Sequence, residues 1–178
     1  MSNNRAGGSG GAIWSSGQNS LTVVNTIVSY NTAEGNGGGI FVGDAAAFTM
    51  TGGVVRKNST SSSVGGSGGG IYLGSYNGLD TTISGVQVSD NDAWQGGGIY
   101  SNRSLYLSGC TDIHDNWALG GRGGGVFLEF GTITYAAVSI GNNTATVGDG
   151  VYRSKGTSRA GEGDYWYGDP VNTETVGT

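Results

Sequence analysis

The chain has 178 residues, with 38 Gly, one Pro, 12% charged residues and a formal net charge of −5. Collagen is excluded because Gly does not fall at every third position. Disorder fits poorly with four Trp, nine Tyr, four Phe and abundant Val, Ile and Thr. The eight Lys and Arg are scattered, which argues against a nucleic-acid surface and gives no polybasic patch for a membrane.

Cys110 is the only cysteine and His114 the only histidine, so neither an internal disulfide nor a Cys/His metal site is expected. No run approaches the roughly 18 apolar residues of a membrane span, so no membrane insertion is expected. No secretory leader is legible behind Met1, and a mature or excised fragment is the expectation.

Taken in chain order, the first element is Asn4-Arg5-Ala6. It falls nine residues before the apolar-aromatic pair Ile13-Trp14, as Asn31 falls nine before Ile40-Phe41. The first coil therefore starts at its Asn bend. This predicts either residues upstream or a subunit covering that end, because an uncapped solenoid end exposes unpaired backbone groups and apolar core.

From there the chain repeats. The pairs Ile13-Trp14, Ile40-Phe41, Ile71-Tyr72, Ile99-Tyr100, Val126-Phe127 and Val151-Tyr152 each follow glycines, at spacings of 27, 31, 28, 27 and 25. A second anchor is an Asn followed two residues later by a small residue: Asn31, Asn58, Asn91, Asn116 and Asn143. Two anchors in step at such a period indicate a solenoid. Between them lie two more short strands per coil, such as Leu105-Tyr106-Leu107 and Thr111-Asp112-Ile113, mostly alternating in-out-in. The fold predicted is all-β: a single right-handed parallel β-helix over residues 1–153, about six coils of three short strands, about 27 residues per coil. Residues 154–178 leave the pattern and form an irregular C-terminal cap or docking segment. Within it Tyr165, Trp166 and Tyr167 either fold over the last coil or dock on the open end of another copy; the latter would build a filament.

Stacking predicts columns of like residues about 4.8 Å apart. The aliphatic anchors form core, and the Asn column forms an amide ladder at a left-handed bend. The aromatic column Trp14, Phe41, Tyr72, Tyr100, Phe127 and Tyr152 points outward, either as a structural stack or as a surface for proteins or glycans. The column Thr22, Thr49, Thr82 and Thr134, interrupted by Tyr106, reads as ordinary strand preference rather than an ice-binding face. Asp90 and Asp115 precede ladder residues on adjacent coils, with Asp92, Asp112 and His114 nearby. They are solvated charge, with Lys57 pairing Asp90, or a weak site for Ca²⁺ or for glycoside cleavage. No other cofactor is expected. The glycine triplets precede strands rather than helices, so they permit bends and close coil approach and are not phosphate cradles. Asn58, Asn102 and Asn142 lie in Asn-x-Ser/Thr sequons; Asn102, in a short turn, reads as the best glycosylation acceptor and Asn58 as an awkward one.

The Gly-Gly-Gly-Ile-aromatic motif followed by Ile/Val-x-x-Asn, as in Val88-Ser-Asp-Asn91 and Ile113-His-Asp-Asn116, resembles the polymorphic outer-membrane-protein repeats of extracellular β-helix proteins. The resemblance covers roughly residues 4–153. It implies a secreted or surface-displayed adhesin, non-enzymatic and structural. Self-association through the helix ends, and glycans or cell-surface proteins as partners, are the corresponding expectations. A polysaccharide-binding or polysaccharide-degrading β-helix is the rival.

Overall fold

The computed structural model describes residues 1–17, 20–43, 47–61, 65–74 and 81–154, together with the strand Glu174–Val176. Tyr165, Trp166 and Tyr167 lie outside the described residues.

The described chain is a parallel β-helix. The anchor pairs become the strands Ile13–Ser15, Ile40–Val42, Ile71–Leu73, Ile99–Ser101, Val126–Leu128 and Val151–Arg153, stacked as one six-stranded sheet. Register is one-to-one along it: Ile13 faces Ile40, Ile40 faces Ile71, Ile71 faces Ile99, Ile99 faces Val126 and Val126 faces Val151. Six anchor strands bound five turns, one fewer than the coil count read from the repeat.

The three faces of a turn differ from expectation in one respect. The second and third strands of each coil share a single nine-stranded sheet, and in the first two coils they run on as Leu21–Ser29 and Phe48–Arg56. The third face is built after the ladder Asn, where a bend was expected. It consists of Arg5–Ala6, Thr32–Ala33, Ser59–Thr60, Asp92–Gln95 and Trp117–Arg122. The inward residues of this ladder-side sheet are small: Ala33, Thr60, Ala93 and Ala118, with Gly121 in the longest strand.

Period-two alternation places the aliphatic columns inside. Ile40, Ile71, Ile99, Val126, Val28, Val55, Val88 and Ile113 are all fully buried in one continuous core. The glycine triplets let the turn close on this core. Gly96 has φ +61, a conformation that side chains disfavour. A Cβ on Gly97 would stand 2.5 Å from the Trp117 carbonyl oxygen, so two backbones meet there. At the last sheet edge, Glu174–Val176 pairs antiparallel with Val138–Gly141.

Candidate functional site

The ladder is complete among the described coils. Asn4 Nδ2 donates to Asn31 Oδ1 at 2.8 Å, Asn31 to Asn58 at 2.8 Å, Asn58 to Asn91 at 3.0 Å, Asn91 to Asn116 at 2.9 Å and Asn116 to Asn143 at 2.9 Å. Each Oδ1 also accepts the backbone N–H of the preceding ladder residue at 3.0 Å. The second Nδ2 hydrogen bonds a carbonyl: Asn91 to Val55 O and Asn116 to Val88 O. One expectation needs correction. The left-handed residue is not the ladder Asn but the one before it: Asn3, Tyr30, Lys57, Asp90, Asp115 and Asn142 have φ between 52 and 56. Placing the strained residue first turns the Asn side chain inward along the axis, while the exposed neighbour carries the left-handed backbone.

The aromatic column stacks as registered. Ring centroids are 6.3 Å apart for Trp14–Phe41, 5.1 Å for Phe41–Tyr72, and 5.0 Å for Tyr72–Tyr100, Tyr100–Phe127 and Phe127–Tyr152. Rings at such separations lie against each other and leave no gap for a sugar. Only Trp14, 62% exposed at one end, presents much surface. Phe127 stands in the same column and is only 1% exposed, with its faces covered by Tyr100 and Tyr152. Burial, then Tyr72, then the Glu129 carboxylate push the Tyr100 phenol well above its usual range, so it stays neutral. The Arg122 guanidinium lies over the Tyr152 ring at 5.5 Å.

The acidic cluster is built differently from expectation. Asp115 is held by His114 Nδ1 at 2.7 Å, whose Nε2 lies 2.9 Å from Gln87 Nε2 and 3.7 Å from Asp112. Asp90 accepts from Ser89 Oγ at 3.1 Å. Lys57 does not serve as its counter-ion; the Lys57 ammonium lies over the Tyr30 ring at 5.5 Å. Asp92 accepts from Ser59 Oγ at 2.7 Å, and burial raises its carboxyl above the ordinary value against that bond. Among the described residues, no three His, Cys, Asp or Glu side chains come together as a metal site. The threonine column is in register through Tyr106 and borders a shallow depression of about 350 Å³ lined by Thr81, Thr82, Ser104, Leu105, Tyr106, Thr132 and Thr134.

The sequons separate by burial. Asn58 is fully buried in the ladder, and Asn102 has its Oδ1 buried with no hydrogen-bond partner. Asn102 as a residue is half-buried, and Asn142 is exposed on its left-handed bend.

Two features went unread in the sequence. Arg103 is 2% exposed; its Nε donates to Gly74 O at 2.7 Å and its Nη2 reaches Gly43 O, one coil further, at 3.0 Å. Nothing in a short polar turn signals that burial. The second is Trp94 and Trp117, 43% and 53% exposed on the outer face of the ladder-side sheet. In the sequence Trp117 is only the spacer between the ladder Asn116 and the small Ala118.

Residues 1–16 match the Chlamydia polymorphic membrane protein repeat. That segment holds Asn4, the glycines before Ile13 and the Ile13-Trp14 pair, and these elements recur in every later coil. The β-helix therefore resembles the polymorphic membrane protein repeat, whose described setting, a membrane protein, fits a structural role at a surface. No curated protein and no solved structure matches the chain. No helix among the described residues is long and apolar enough to cross a membrane.

Proposed function

We propose that this chain is a non-enzymatic, surface-displayed β-helix that acts as a rigid structural and adhesive unit outside the cell. The observation that carries this reading is the match at residues 1–16 together with the recurrence of the same elements, in register, through every described coil. The geometry supports it: the repeated columns form the core, the ladder and the ring stack, and the carboxylates of the acidic cluster are tied to Ser89, Ser59 and His114.

Labelling of intact producing cells with an antibody against the β-helix tests display. Staining before permeabilisation is expected; staining only after lysis overturns the reading. Incubation with polysaccharides tests the non-enzymatic part. Release of reducing ends that disappears in Asp90→Asn/Asp115→Asn would make the chain a degrading enzyme instead.

End-to-end stacking is a finer form of the same proposal. Its support is the strict parallel register, which a further coil can continue; against it, the edge of Val138–Gly141 is already paired with Glu174–Val176. Light scattering that shows mass growing with concentration supports the filament, and a constant monomer mass overturns it.

A further inference from the structure

We propose that Trp94 and Trp117 form a binding site for a neutral glycan chain on the outer face of the ladder-side sheet. Alternation sets both outward: Ala93 and Ala118, which face each other in register, are buried, and their neighbours Asp92, Trp94, Trp117 and Leu119 take the opposite face. Asp92 is the register partner of Trp117, and the register shifts between Ala93 and Gln95, so Trp94 stands at a bulge on the same outer face, with Gly120 of the adjacent strand beneath its indole.

Glycines of the neighbouring coils seat Trp94. A Cβ on Gly120 would stand 2.6 Å from both Cδ2 and Cε2 of Trp94. Those are the fusion atoms in the middle of the indole, and an atom reaches both at once only through the face of the ring. The indole therefore lies flat on the Gly120 backbone, with Gly65 of the preceding coil near its Cγ and Cδ1, and the residue as a whole is 43% exposed. The inner rings of the anchor sheet are sandwiched between their neighbours, and only Trp14, at the end of that stack, is more exposed than Trp94. A flat, pinned, half-exposed indole suits the apolar C–H face of a pyranose, and it loses little freedom on binding.

Polar groups stand on the same sheet to receive hydroxyls: Ser59 and Asp92 in the Trp117 column, with Thr144 bridged to Trp117 on the other side. The carboxylate and the net charge of −5 select against acidic sugars. A second copy of the chain is a poorer occupant. Among the described residues of this face, the exposed large apolar side chains are Trp94, Trp117, Leu119 and Val147, few beside the roughly 20–30 residues a side of a stable interface.

The proposal rests on surface display for its biological setting, and its test is separate. Purified chain is titrated with cellohexaose, chitohexaose and mannohexaose, with polygalacturonate as the acidic comparison, following tryptophan emission and acrylamide quenching. At least one neutral probe should bind and slow quenching. Trp94→Ala and Trp117→Ala should each weaken it by about tenfold or more, while Trp94→Phe, which keeps a ring on Gly120, stays within a few-fold. Far-UV circular dichroism identifies folded variants; for any variant that fails to fold, protection from quenching in the native chain decides. Four results overturn the site: no neutral probe binds, quenching is unchanged, binding survives both Ala variants, or polygalacturonate is preferred. Mass doubling that depends on these Trp residues would overturn it in favour of self-association. Surface staining without glycan binding sinks this site alone; binding by a chain never found at the surface sinks only the display reading.

Discussion

Asn116 shows how much one side chain does in a stacked fold. Its Oδ1 accepts two donors from Asn91, and its Nδ2 donates to Asn143, Val88 and His114. Asn116→Ala leaves several buried groups unpaired at once, so a loss of about 3 kcal/mol or more is expected, measured as a fall in urea midpoint. Arg103 is a comparable case with a geometric signature. Its guanidinium spans carbonyls of two different coils, which a single ammonium cannot reproduce. Arg103→Lys should therefore be destabilised nearly as much as Arg103→Met, again by about 2–4 kcal/mol; full stability of the Lys variant would contradict the spanning role. Asp92 gives a pH dependence of known sign. Its folded pKa is raised, so the native state holds this proton more tightly than the unfolded chain. Its contribution favours folding in acid and declines as pH rises from the ordinary carboxylate range through the raised value. Asp92→Asn should then be at least as stable as the parent at pH 7 and lose that advantage near pH 3, as read from paired melting curves.

At the scale of the strand and bend, glycine position decides tolerance. Gly97→Ala drives a Cβ into the Trp117 backbone and should prevent soluble folding or cost more than about 3 kcal/mol, whereas Gly8→Ala, with nothing within 4 Å, should change stability by less than about 0.5 kcal/mol. Expression yield and denaturation midpoint separate the two. The same elements explain what was legible in the sequence. Apolar columns are local patterns, so Ile40, Ile71, Ile99 and their aromatic neighbours were readable with their register. The short sheet after the ladder was not, because Ser59–Thr60 and Thr32–Ala33 carry no apolar alternation long enough to signal a strand. The left-handed residue was misassigned by one because Asn is the commoner host of that conformation, while the positions that adopt it here hold Tyr, Lys and Asp as readily. Arg103, and Trp94 on Gly120, depend on which coil lies beside which, and that information is absent from any single repeat.

Over the whole molecule, each coil touches mainly the coils before and after it, so stability is a sum of neighbour terms. Coils with two described neighbours should open last. Hydrogen exchange is expected to be slowest at amides such as Ile71 and Ile99, which bond Gly98 and Gly125, and faster toward Ile13. Uniform protection from one end to the other would show a single all-or-none unit instead.

The Asn column has a consequence for the molecule as a vector. In every described step the amide N–H points toward the later coil and the oxygen toward the earlier one. The carboxamide dipoles therefore add rather than cancel, and each polarises the next. The column has a negative pole toward Asn4 and a positive pole toward Asn143, much as a helix has along its axis. Two molecules meeting by a twofold axis at either pole would bring oxygen to oxygen or N–H to N–H. Only a neighbour pointing the same way would continue the current of hydrogen bonds, so any assembly that extended the ladder would have to keep its sense, as a row of compass needles does.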